Sequence, residues 1–136
     1  MRKLLVPIDG SGPAGRALEV ALSIGGEIDL VQVQREADSP VLLLHVTPDQ
    51  LRRMQLEHAE TVVADARARL QAAGVVHRVH LCVGEPATEI ARLAREAAVD
   101  GIVMGSRGMG ALGNLAFGSV ATKVVHLADV PVTLVK

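Results

Sequence analysis

A chain of 136 residues with 14 basic against 15 acidic side chains, net charge −1, has no long-range field with which to gather nucleic acid or an anionic membrane surface. It has no Trp or Tyr and one Phe, Phe117, so stacking of unpaired bases on aromatic rings is nearly unavailable, which weighs against a binder of single-stranded nucleic acid. The length sets one domain, 1–136, whose core can stand unaided, with no room for a separate substrate domain.

The single cysteine, Cys82, lies in the apolar run 79–83, which rules out an internal disulfide and fits an inert thiol in a reducing compartment. The apolar run behind Arg2 and Lys3 breaks at Asp9, far short of membrane-spanning length. A cytoplasmic protein without membrane attachment is expected.

Residues 3–8, Lys-Leu-Leu-Val-Pro-Ile, run into Asp9-Gly-Ser-Gly, the pattern of a strand buried on both faces that ends in a turn. Pro7 belongs at the strand's end, where a missing N–H costs nothing. Pro13 suits the first turn of a helix with Ala14, Leu18, Ala21 and Leu22 on one side, closed by Gly25-Gly26. Residues 27–34 read as the second strand, after a connection of ordinary length. The run 41–46, Val-Leu-Leu-Leu-His-Val, is strand-like too, so the second strand ends at Val33 or, on the alternative, at Val46.

Thr47-Pro-Asp-Gln50 forms a capping box with proline at the first helical position. The long helix it opens carries Leu51, Met54, Ala59, Val62, Val63, Ala66, Leu70 and Ala73 on its apolar side and stops at Gly74. Residues 77–83 are the third strand. Pro86 opens a helix with Ile90, Leu93, Ala94 and Ala97 inward, followed by a fourth strand at 101–104, a helix at 119–128 and a fifth strand at 131–135. Strands alternating with helices imply the α/β class, an open five-stranded parallel sheet with helices on both faces.

In such sheets ligands bind beyond the carboxyl ends of the strands, where the strand order reverses. Two polar clusters have that address: Asp9-Gly-Ser after the first strand, and 105–119, with five glycines in fifteen residues, after the fourth. The five glycines leave backbone N–H groups uncovered, and Ser119 stands at the start of the following helix, which suits an anion. Gly10-Ser-Gly12-Pro-Ala-Gly15 is a literal dinucleotide fingerprint. Pro13 occupies its turn, however, and no acid follows Val33-Gln34 closely enough to hold a ribose, Glu36 being a poor substitute, so a helix-opening turn is the better reading. Residues 113–119 nearly match a P-loop but lack its lysine, a loop better suited to holding a nucleotide than to hydrolysing it. Arg107 is the cation of that loop, reading equally as a solvated side chain, and Lys123 lies one turn into the helix. His77 and His80 point to opposite faces of a strand and cannot share a metal; His45, His58 and His126 have no ligand spacing around them.

The spacing Gly105-x2-Gly108-x9-Gly118-Ser119, between the last strand but one and the last helix, resembles the nucleotide-binding signature of the universal stress protein family. Val-Pro-Ile-Asp-Gly-Ser at 6–11, Asp-Gly-Ile-Val-Met-Gly-Ser-Arg-Gly at 100–108 and Val-Pro-Val-Thr-Leu-Val at 130–135 extend the likeness over nearly the whole chain apart from 35–50. The resemblance implies a Rossmann-like sheet of the adenine nucleotide alpha hydrolase-like kind, ordered 3-2-1-4-5. It implies ATP, or AMP or ADP, with Mg²⁺. Pro7 and Ile8 would line the adenine side and the backbone of Val33 would address the adenine edge. Asp9 would lie near the ribose and, through phosphate-bound Mg²⁺, the metal. Gly105, Gly108, Gly118, Ser119 and Val120 would give donors to the phosphates, with Met104 and Arg107 completing the set. It further implies a homodimer joined through 130–135. The expected function is an ATP-binding module or switch in stress response. Two alternatives stand beside it: a slow ATPase or adenylyl-transferring enzyme, for which no base or extra cation is found, and a nucleotide-free dimeric interaction protein.

Overall fold

The computed structural model describes residues 2–36, 44–107 and 117–136. The chain alternates strands and helices: β1 (Lys3–Pro7), α1 (Gly12–Ile24), β2 (Glu27–Gln34), α2 (Pro48–Ala72), β3 (His77–Val83), α3 (Pro86–Glu96), β4 (Gly101–Gly105), α4 (Ser119–Leu127) and β5 (Val132–Val135). The strands form one parallel sheet in the order β3-β2-β1-β4-β5. The second strand is therefore 27–34, and Val46 lies in the turn before α2; the first half of the competing run, 41–43, is outside the described residues.

The sheet is buried on both sides because successive side chains of a strand point to opposite faces. Leu4, Val6, Ile28, Leu30 and Val103 face one core with Ala14, Leu18 and Ala21 of α1 and Val63, Ala66 and Leu70 of α2. Leu5, Val31, Ile102 and Met104 face a second core with Ile90, Leu93 and Ala94 of α3 and Ala121 and Val124 of α4. This two-sided burial is why β1 and β4 read as unbroken apolar runs rather than alternating ones.

Three of the four helices start at a side-chain cap. Ser11 accepts from the Ala14 N–H at α1, and Thr47 and Gln50 exchange bonds across a capping box at α2. Glu85 accepts from the Thr88 N–H and hydroxyl at α3, bonds that hold its carboxyl below the usual range.

Two expectations for α2 fail. Met54 is 51% exposed, because nine residues at 100° each put it half a turn away from the fully buried Val63. Ala73 is exposed because it is the C-cap and no longer helical surface. In α1 the buried stripe includes Ala17, which the sequence reading omitted, and Leu22 is half-buried.

Leu70→Ala, at a position with no exposed surface, is expected to lower stability to urea by about 2–5 kcal/mol. Met54→Ala on the same helix should change it by no more than about 0.5 kcal/mol. Equal losses at the two positions would contradict this docking of α2.

Candidate functional site

The order of the strands reverses direction at β1: α1 leads outward to β2 and β3, and the chain then crosses back to β4. The loops after β1 and β4 consequently leave the carboxyl end of the sheet side by side, at the switch point of an open α/β sheet.

The first loop is a tight device. The β1–β2 ladder ends with the Ile8 N–H donating to the Val31 carbonyl at 2.8 Å, and Pro7 is paired beside Val31 in the strand's last position. Asp9 Oδ1 then accepts from the Ser11 N–H at 2.9 Å, while Gly10 takes φ +84°, a left-handed conformation in which a side chain is strained. One carboxylate thus shapes the turn that hands Ser11 to α1 as its cap. Asp9 is exposed at this end of the sheet, whereas Ile8 is buried against the α1–α2 core.

The second loop starts from a contact that only glycine permits. A Cβ on Gly105 would lie 2.8 Å from Pro13 Cβ, 3.0 Å from the Ala14 nitrogen and 3.0 Å from the Arg107 carbonyl oxygen. Beyond it Ser106, 3% exposed, donates its N–H to Val135 of β5 and accepts the Gly118 N–H on its carbonyl, both at 2.7 Å. Ser106 therefore closes the loop, holding the start of α4 against the end of β4. The Gly118 N–H is engaged in this closure, and Gly118 serves α4 as an extended N-cap at φ −71° and ψ 166°.

At α4 the first helical bond runs from the Thr122 N–H to the Gly118 carbonyl. The N–H groups of Ser119, Val120 and Ala121 have no acceptor within the helix. Three helices close such groups with a side chain, but α4 has no side-chain cap among the described residues, and no acid occupies its first turn. Here the helix presents the positive end of its dipole beside the glycine contact, an arrangement that accepts an anion. Arg107 follows directly on Ser106, half-buried. Met104 is 5% exposed and packs in the α3–α4 core. Gly108 lies outside the described residues.

Across the switch point, the parallel ladder decides where Val33 points. In β2 the odd residues bond toward β1, as Val31 does, and the even ones toward β3, as the Gln34 carbonyl does in accepting from the Gly84 N–H at 2.8 Å. Two residues past Val31, the N–H and carbonyl of Val33 face the side that β1 has already left. They offer a donor and an acceptor at the lip of the sheet. The contact at the Val33 carbonyl is the Gln32 side-chain amide, 3.4 Å away.

The sequence pattern of the Universal stress protein family matches residues 1–136. The chain belongs to this family. A universal stress protein of Thermus aquaticus is 36% identical over 138 residues, covering 99% of this chain and 98% of its own length. The structure of MJ0577, a universal stress protein of Methanocaldococcus jannaschii, superposes with a TM-score of 0.89 at 28% identity, covering 99% of this chain and 95% of that one. The universal stress protein from Archaeoglobus fulgidus in complex with dAMP shares the fold at TM-score 0.70 and 24% identity, over 100% of this chain and 98% of that one.

Several buried polar groups of this family member were not singled out from the sequence. Gln32 is 5% exposed in β2, and its Oε1 accepts from Gln34 Nε2 at 2.9 Å. Asp29, 2% exposed, pairs with His80 at 3.1 Å near the amino end of the sheet. The signal available was the polar residue at positions where a doubly covered strand should have none. Cys82 is half-buried beside α3; burial pushes its thiol up, with Glu89 adding to the effect and Arg92 opposing it, so it stays protonated at neutral pH. None of the described helices is long and apolar enough to cross a membrane.

Gly105→Ala is expected to cost about 1–3 kcal/mol in denaturant unfolding, since strand and helix backbone must part to admit the methyl group. Gly12→Ala, whose Cβ would meet only the movable Arg16 side chain, should stay within about 0.5 kcal/mol of the parent. A loss at Gly105 no larger than at Gly12 would contradict the contact.

Proposed function

We propose that the chain binds ATP, or AMP or ADP, with Mg²⁺ at the carboxyl end of its sheet and acts as a nucleotide-dependent binding module or switch in stress response. The observation that carries this reading is the uncapped N-terminus of α4 beside the Gly105 contact: Ser119 and Val120 offer N–H groups, and Ser119 a hydroxyl, where a phosphate can sit. The Val33 N–H and carbonyl, directed past the end of β1, match the ring nitrogen and amino group of adenine, and Pro7 and Ile8 form the floor between. A protein that shares the fold holds dAMP, at an identity that carries the fold and no more, so the ligand rests on these residues.

Mg²⁺ characteristically takes one or two carboxylates together with phosphate oxygens and water. Asp9 is the carboxylate in the turn that follows β1, and among the described residues no cluster of three His, Cys, Asp or Glu side chains is placed to hold a metal alone. These residues fit a metal that arrives with the phosphates, with Asp9 as the chain's contribution. Bound there, the ion would neutralise phosphate charge in a loop that has no P-loop lysine.

A second copy of the chain would pair along β5. Its ladder bonds to β4 use Pro131 and Val135, so the N–H and carbonyl groups of Val132 and Leu134 face the free edge. Val125 and Leu127 of α4, 49% and 46% exposed, add apolar surface nearby. Sedimentation at increasing concentration should show a dimer; a monomer at every concentration would contradict this part of the reading.

The nucleotide site is tested by melting. At a hundredfold excess over its dissociation constant, Mg-ATP should stabilise the fold by about 2.7 kcal/mol and raise Tm accordingly. Ser119→Pro removes one N–H and the hydroxyl at the first helical position, where proline is favoured, and Gly118 already has the extended conformation that precedes a proline. This variant should melt like the parent without ligand and lose most of the ATP-dependent rise. No rise in the parent, or an undiminished rise in Ser119→Pro, would overturn the reading.

A further inference from the structure

We propose that the buried Gln32 side chain is a specificity-determining group of this site, donating a hydrogen bond to N7 of adenine. The inference rests on the nucleotide reading above and adds to it a third contact along the base edge.

A primary amide 5% exposed in a strand covered on both faces is costly unless its donors and acceptor are used. The Gln32 carbonyl is used: Oε1 accepts from Gln34 Nε2 at 2.9 Å. A bond between two amides could run either way, and it is the Val33 carbonyl, which can only accept, that requires the NH₂ group on its side. There Nε2 meets the Val33 carbonyl oxygen only at 3.4 Å, longer than an ordinary N–H···O bond. The amide therefore retains donor capacity next to the Val33 carbonyl, which faces the space β1 has vacated.

Three groups now stand together at the lip of the sheet: the Val33 N–H, the Val33 carbonyl and the Gln32 NH₂, a donor, an acceptor and a donor. Adenine presents the complement from N1 through N6 to N7, an acceptor, a donor and an acceptor. Guanine presents a donor at N1 and an acceptor at O6, so it opposes the first two groups and matches only at N7. Val33 alone separates the two bases by main-chain polarity. Gln32 adds affinity for a base whose amino group and N7 lie on one edge, and it separates adenine from analogues altered at N7.

The test uses a ligand changed by one atom. Dissociation constants are measured calorimetrically for Mg-ATP and Mg-7-deaza-ATP, in which N7 is replaced by C–H, on the parent protein and on Gln32→Met. The parent should bind the 7-deaza analogue about five- to tenfold more weakly than ATP, the worth of one hydrogen bond. Gln32→Met should bind both nucleotides alike, near the affinity of the parent for the analogue. Equal binding of the two nucleotides by the parent, or a preference for ATP that survives in Gln32→Met, would overturn the role of Gln32 while leaving the site itself standing. Failure of the parent to bind ATP at all would overturn the site and this inference together. The comparison on the parent needs no variant, so it decides the question even if Gln32→Met folds poorly.

Discussion

Where β4 ends, Gly105 lies so close to Pro13 and Ala14 that a single methyl group would collide with a ring carbon and a backbone nitrogen. This contact joins the last residue of one central strand to the first turn of the helix that follows the other. Through it, the turn made by Asp9, Gly10 and Ser11 and the loop closed by Ser106 and Gly118 share one wall. Separate the two backbones by the width of a side chain, and the turn after β1 no longer packs against the end of β4.

Hydrogen-bond satisfaction then distinguishes what is structural from what is available. Folded chains pair nearly all their buried backbone groups. Around this end of the sheet most groups are paired: Ile8 with Val31, Ser106 with Val135, Gly118 with Ser106, Gly84 with Gln34. Among the described residues, the first turn of α4 has no side-chain cap, and the Val33 carbonyl is met by the Gln32 amide at 3.4 Å, longer than an ordinary bond. A ladder that stops because β1 turns away, and a helix that starts without a side-chain cap, leave polar groups of opposite use: donors alone at the helix, donor and acceptor together at the strand. A phosphate suits the first and a base edge the second, which is why a nucleotide is the ligand proposed.

Much of this was legible from residue order. The apolar runs of β1 and β4, the cap residues Ser11 and Thr47, and the glycine-rich stretch between the fourth strand and the last helix all follow from local rules. The second strand was harder, because 27–34 carries Asp29, Gln32 and Gln34 while 41–46 is more uniformly apolar. What makes those polar residues tolerable is partnership. Asp29 is met by His80 on the neighbouring strand, fifty-one positions away, and Gln32 by Gln34. Periodicity carries no record of the first of these. The strand order was likewise not readable from the elements themselves and came from the family resemblance, since what fixes it are contacts such as the one at Gly105. Met54 is apolar yet lies on the exposed side of α2, half a turn from Val63, and only the helical angle distinguishes it from the buried positions.

The central claim is that the Val33 backbone and the first turn of α4 belong to one site bridged by Asp9 and Gly105. A crystal structure of the chain with Mg-ATP tests it most directly. The account predicts the base edge against the Val33 N–H and carbonyl and phosphate oxygens on the Ser119 and Val120 N–H groups. A nucleotide bound elsewhere, or one whose phosphates point away from α4, would contradict it.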